Sequence, residues 1–240
     1  MTLRCQDIHY DGPGGPFVGT LHWDDSLTAP RPGVIVCPAF RGKSPFEQAR
    51  AQELAERGYV GFAMDYYGNG VTIEDATEAH AAKNALDADR PLLAARMEVA
   101  LAALKTAPQV DPERTAAIGY CFGGKAVLDL ARQGADLKGV AAFHGILDRA
   151  ASAPEAAIRA RILVMHGWDD PLAPPQSVLD FGAEMTARDV DWQLHAYGGT
   201  GHAFTNPAAQ PGAQLGFGFK ETARDRSWTS VKSFLTELFA

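Results

Sequence analysis

Six short apolar runs, most of them unbroken and rich in β-branched residues, most restrict what this 240-residue chain can fold into. They are "GVIVCP" (33–38), "VGFAMD" (60–65), "AAIGY" (116–120), "GVAAFH" (139–144), "ILVMHG" (162–167) and "DWQLHAY" (191–197). A strand with one wet face alternates apolar and polar residues. A continuous apolar run is the mark of a strand covered on both faces, as in a parallel sheet between helical layers. Helical patterns fall between the runs, over 45–56, 76–105, 124–133, 176–187 and 221–239. Near the N-terminus, "DGPGG" before "FVGTLHW" predicts a β-hairpin. No repeat, low-complexity tract or charged linker divides the chain, so a single α/β domain over 1–240 is expected. Its central sheet should be mostly parallel, with helices on both faces. Ligands of such sheets bind beyond the C-terminal ends of the strands, and chemistry belongs at that edge.

Composition removes several function classes. At 46% hydrophobic residues the chain can bury a sizeable core. A net charge of −7 argues against a nucleic-acid partner, which needs clustered Lys and Arg. No apolar run approaches the roughly 18 residues of a membrane span. The opening "MTLRCQDIHYDGPGG" lacks the apolar centre of a secretion signal. Cys5, Cys37 and Cys121 are odd in number, far apart and without CxxC spacing, so neither a disulfide framework nor a zinc site is expected. The expectation is a cytoplasmic protein with reduced thiols, no metal, no cofactor and no membrane partner. Oligomeric state has no signature here.

The densest chemical signal is "GYCFG", residues 119–123, at the junction of an apolar run and a helical pattern. It fits G-x-nucleophile-x-G, the tight turn that lifts a nucleophile between strand and helix. Glycines are needed there because side chains would crowd adjacent backbone. A helix N-terminus also favours thiolate over thiol. The bland reading of Cys121 is a small core residue, since free cysteine is among the most buried types.

A nucleophile of this kind needs a base and an orienting acid, in the chain order nucleophile, acid, histidine. After the 162–167 run comes "WDDPLAPP", with Asp169 and Asp170, and after the 191–197 run comes "YGGTGHAF", with His202. Both loops sit past strand ends, on the edge that carries Cys121. His202 can take the thiol proton and return it to the leaving group, while the acid fixes its tautomer. Asp170, deeper in the loop, is favoured as the acid and Asp169 as a turn residue. His144 and His166 end strands and are candidates for the pocket wall. His9, His22, His80 and His195 read as structural.

Together these segments resemble the dienelactone hydrolase family of the α/β-hydrolase fold over nearly the whole chain. The likeness is carried by "VIVCPAFRG", "AERGYVGFAMDYYG", "IGYCFGG", "HGWDDPLAPP" and "GGTGHAF". It implies hydrolysis of small activated esters or lactones through a thioester on Cys121, without cofactor, and it supports Asp170 as the acid. Two backbone N–H donors should hold the tetrahedral oxygen: Phe122, the residue after the nucleophile, and Phe40, placed by the resemblance. Two departures bear on substrate. Ala39 stands where the family carries a glutamate near the thiol, and Asn206 where it carries an arginine for the substrate carboxylate. Arg41, in the same loop as Phe40, is the candidate substitute cation.

Phe40, Tyr66, Tyr67 and Phe204 fall in strand-end loops and are candidates for an acyl pocket. Cys37 reads as a buried thiol or part of the pocket floor, and residues 68–90 as a candidate lid. Arg90 and Arg96 belong to a helix face, solvated or reaching the pocket mouth. The glycines at 198, 199 and 201 precede no helix and lack the Lys-Ser/Thr of a phosphate loop. Two other readings stay open: phosphotriester hydrolysis through the same cysteine, and a non-catalytic binding protein on this scaffold.

Overall fold

A computed structural model describes residues 1–240. Eight strands form one sheet in the order β1-β2-β4-β3-β5-β6-β7-β8, with β1 over Leu3–Tyr10, β2 over Phe17–Asp24, β3 over Arg31–Cys37 and β4 over Val60–Ala63. The remaining strands are β5 (Val110–Tyr120), β6 (Gly139–Phe143), β7 (Arg161–Gly167) and β8 (Trp192–Tyr197). Strands β1 and β2 are the expected hairpin, and β2 runs antiparallel to β4. From β4 to β8 every pairing is parallel.

The continuous apolarity of the inner strands has the expected cause. In β3, Val34 and Val36 face one layer while Ile35 and Cys37 face the other, and all four are buried. One layer holds α1 (Pro45–Ala55) and α6 (Glu221–Leu238), packing Ala51, Leu54, Val231 and Phe234. The opposite layer holds α2 (Ala76–Ala88), α3 (Arg90–Thr106), α4 (Phe122–Arg132) and α5 (Pro175–Ala187).

Differences from expectation are local. The pattern over 76–105 is two helices, because Asp89 ends α2 and caps α3 by accepting the Leu92 N–H at 3.0 Å, with Pro91 in the first turn. Strand β5 begins earlier than expected, pairing Val110 with Arg31 before a register shift ahead of Gly33. Arg90 and Arg96 neither dangle in solvent nor reach the pocket. Arg90 is buried against Asp129 and Asp148, and Arg96 donates to the Pro13 and Tyr66 carbonyls. No helix is long and apolar enough to cross a membrane.

Candidate active site

Cys121 lies between β5 and α4 with φ 55° and ψ −115°, a conformation a non-glycine residue adopts only under constraint. Its N–H donates to the Phe143 carbonyl of the neighbouring strand at 3.0 Å. The flanking glycines are steric necessities. A Cβ on Gly119 would stand 2.1 Å from the Gly123 oxygen, and one on Gly123 would stand 2.4 Å from the oxygens of both Cys37 and Pro38. The helix therefore starts directly after the thiol, with Phe122 as its first residue.

Three strand ends converge on this turn. His202, in the loop after β8, places Nε2 3.0 Å from the Cys121 sulfur. Its Nδ1 stands 2.7 Å from Asp170 Oδ2, in the loop after β7. The other oxygen of Asp170 accepts the Leu172 N–H at 2.8 Å. Asp170 is buried at 2% exposure, whereas Asp169 is exposed and contributes its backbone N–H to Thr200. His202 is held on its backbone by Gly216 and Gly218, a clamp from the segment before α6. Burial disfavours a charged imidazole, but the Cys121 thiolate and the Asp170 carboxylate outweigh it and push the His202 pKa up to about 10.

A pocket of about 580 Å³ opens over the sulfur. Ala39, Phe40, Arg41 and Asn206 line it, together with Cys121, Phe122 and His202. Tyr66 and Phe204 do not. Tyr66 is fully buried beneath the loop, its hydroxyl donating to the Pro38 and Ala39 carbonyls, and Phe204 packs edge-on to His144 and Tyr197. Tyr67 is likewise drawn away, donating to the Phe40 carbonyl. Cys37 is not at the pocket floor; it is buried against Met97, and burial raises its pKa well above the ordinary thiol value.

The Phe40 N–H meets no protein acceptor, and Phe122 has no carbonyl one helical turn behind it to bond. Both amides are therefore open to a ligand oxygen. Arg41 is less free than its charge suggests, because its guanidinium donates to the carbonyls of Ile73 and Glu74. His144 lines the pocket with its ring edge-on to His202, and burial lowers its pKa well below the ordinary value, so it is neutral.

Several wall residues carried no sequence signal of their own. His80 and Lys83 project from α2: His80 stacks on the Phe40 ring at 4.6 Å, and the Lys83 ammonium lies 5.5 Å from the Phe122 ring centre. Lys83 is paired with Asp87 at 2.7 Å. Glu47 is buried at 2% exposure in the first turn of α1. Its only trace in the sequence is Ser44 three residues before it, the spacing of a helix capping box.

A doubly covered, largely parallel sheet with a strained turn at Cys121, and with His202 and Asp170 beside it on successive strand ends, is the architecture of an α/β-hydrolase. Within that class the chain belongs to the dienelactone hydrolase family, whose model matches residues 19–239. It is similar to the solved structure named m3DLH, at 37% identity and TM-score 0.94 over 100% of both chains. It is also similar to P91, a dienelactone hydrolase-like promiscuous phosphotriesterase from metagenomic libraries, at 35% identity and TM-score 0.94 over 100% of both chains. A Yersinia pestis protein provisionally named carboxymethylenebutenolidase is 24% identical over 84% of this chain and 79% of its own.

Proposed function

We propose that this enzyme hydrolyses small activated esters or lactones with Cys121 as nucleophile, His202 as general base and acid, and Asp170 as the group that orients and charges the histidine. The observation that carries the reading is the continuous contact from sulfur to imidazole to carboxylate, 3.0 and 2.7 Å long. The thiolate attacks the carbonyl carbon, and the resulting oxyanion lies between the Phe40 and Phe122 N–H groups. Collapse breaks the bond to the alkoxide, which leaves with the proton from His202. Water then gives a proton to His202 and attacks the thioester, and breaking the C–S bond returns the thiolate and releases the acid. One oxyanion donor is worth roughly 3–4 kcal/mol of barrier.

Rapid mixing with a p-nitrophenyl ester should give a burst of one nitrophenolate per site, with an acyl adduct mapped to Cys121. Undiminished turnover by Cys121→Ala, with no adduct, defeats the reading. A second activity is favoured by likeness to P91: a thiolate beside two N–H donors also suits attack on phosphotriesters. Turnover of a p-nitrophenyl phosphotriester that disappears in Cys121→Ala supports it, and absence of turnover removes it.

A further inference from the structure

We propose that Glu47 is a positioning residue for hydrolysis, fixing the stretch of chain that presents the Phe40 N–H to the substrate oxyanion. The inference rests on the oxyanion donors named above. Glu47 borders the pocket, yet its carboxylate is turned away from solvent and has no Lys or Arg partner. A buried carboxylate without a cation is costly unless hydrogen bonds satisfy it. Here Oε1 accepts the Ala39 N–H at 3.3 Å, while Oε2 accepts the Ser44 N–H at 3.0 Å and the Ser44 hydroxyl. The Ser44 bonds are an ordinary helix cap. The bond to Ala39 is not, because it reaches eight residues back into the loop after β3.

That loop is tied on both sides of the donor. The Tyr66 hydroxyl donates to the Pro38 and Ala39 carbonyls at 2.8 and 2.7 Å, and the Tyr67 hydroxyl donates to the Phe40 carbonyl at 2.9 Å. The Gly42 N–H donates to the Ala39 carbonyl at 3.0 Å. The Ala39 carbonyl and the Phe40 N–H belong to one rigid peptide plane, so holding the carbonyl aims the N–H. The preceding plane carries the Pro38 carbonyl, held by Tyr66, and the Ala39 N–H, held by Glu47, so Glu47 is the second of its two anchors and the one that ties it to α1. With both planes fixed, the Phe40 N–H keeps its direction without an acceptor of its own. The anchor is stiff, because α1 packs Ala51 and Leu54 into the core against the sheet. An oxyanion hole acts by preorganisation, so loosening this anchor should cost turnover rather than substrate affinity.

The test uses Glu47→Ala and Glu47→Gln in the full chain, with two readouts. One is kcat and KM for p-nitrophenyl butyrate. The other is the rate at which iodoacetamide alkylates Cys121, mapped by mass, a reaction that needs thiolate but develops no oxyanion. The expected result is a kcat loss of about ten- to a hundredfold for Glu47→Ala. Glu47→Gln should lose less, since the amide oxygen satisfies one side only. KM and the alkylation rate should stay at wild-type values. Unchanged kcat, or alkylation falling in step with kcat, overturns the proposal. Should both variants fail to fold, Glu47→Asp keeps the charge at the helix start but shortens its reach to Ala39, and the same split is expected of it. The wild-type control separates the two readings. If alkylation at Cys121 leaves hydrolysis intact, the nucleophile is wrong; if hydrolysis stops but Glu47 variants turn over normally, only the positioning role fails.

Discussion

His202 Nδ1 and Asp170 Oδ2 stand 2.7 Å apart in a site where both residues are buried, while Asp169, one residue earlier, faces solvent. The contact sets which imidazole nitrogen is free to face the sulfur. Asp170→Asn is therefore expected to lower kcat by about 10³–10⁴-fold, because the amide favours the wrong tautomer and cannot stabilise imidazolium. Asp169→Asn should change kcat little. Steady-state kinetics of the two variants decide it, and a larger loss at Asp169 would reverse the assignment.

The three thiols should separate by reactivity. Brief iodoacetamide treatment near neutral pH is expected to label Cys121 fastest and to abolish hydrolysis in proportion. Cys5 is exposed but lies within an edge strand, away from any helix N-terminus, and Cys37 is buried with a raised pKa, so Cys37 should stay unlabelled in the folded protein. Peptide mass mapping against residual activity checks this, and inactivation tracking Cys37 would refute it.

The pH dependence follows from His202. Its pKa is raised from the ordinary 6.5 to about 10 in the folded protein. A raised cationic pKa stabilises the fold below the unfolded value, and that stability is lost as pH rises through about 10. The melting temperature should fall over this alkaline window, and kcat/KM should fall with it as the imidazolium that protonates the leaving group is lost. In Cys121→Ala the sulfur's charge is gone, so NMR titration should find the His202 pKa well below its wild-type value. An unmoved pKa would show that the thiolate does not charge the ring.

Substrate charge is the fourth expectation. Asn206 lines the pocket where the family carries arginine, and Arg41 is occupied with the Ile73 and Glu74 carbonyls. Neutral esters should be preferred over carboxylate-bearing lactones. A hydrogen bond to a charged group contributes about 1.5–3 kcal/mol, so Asn206→Arg should shift the kcat/KM ratio toward dienelactone by about ten- to a hundredfold. If wild type already prefers dienelactone, another cation holds the carboxylate. Lys83, across the pocket and paired to Asp87, is the first to examine.

Some of this was legible from sequence for a definite physical reason. Runs such as "GVIVCP" have to be apolar on both faces, so the buried strands and the mostly parallel sheet followed from the pattern, while the order of the strands did not. The turn at Cys121 was legible because backbone crowding admits only glycine at 119 and 123. Pocket walls were not. Tyr66, Tyr67 and Phe204 sit at strand ends, yet hydrogen bonds and ring packing turn them inward. His80, Lys83 and Glu47 reach the pocket from helices whose inner face depends on tertiary packing. Arg90 read as a surface residue because its acidic partners, Asp129 and Asp148, are remote in sequence.

The contact of Gly123 with the Cys37 and Pro38 oxygens has a consequence for how such an enzyme can change. It sets the turn at Cys121 directly against the strand that leads into the Phe40 loop, main chain on main chain. Under the proposed mechanism the gap between the Phe40 and Phe122 N–H groups is then set by main-chain contact, which side-chain changes at the pocket-lining Phe40, His80, Lys83 or Asn206 leave in place. Those wall residues are free to drift toward new acyl groups, or toward phosphorus in place of carbon, while the reacting geometry stays put. Diversification within this architecture should accumulate on the walls and leave the glycines untouched.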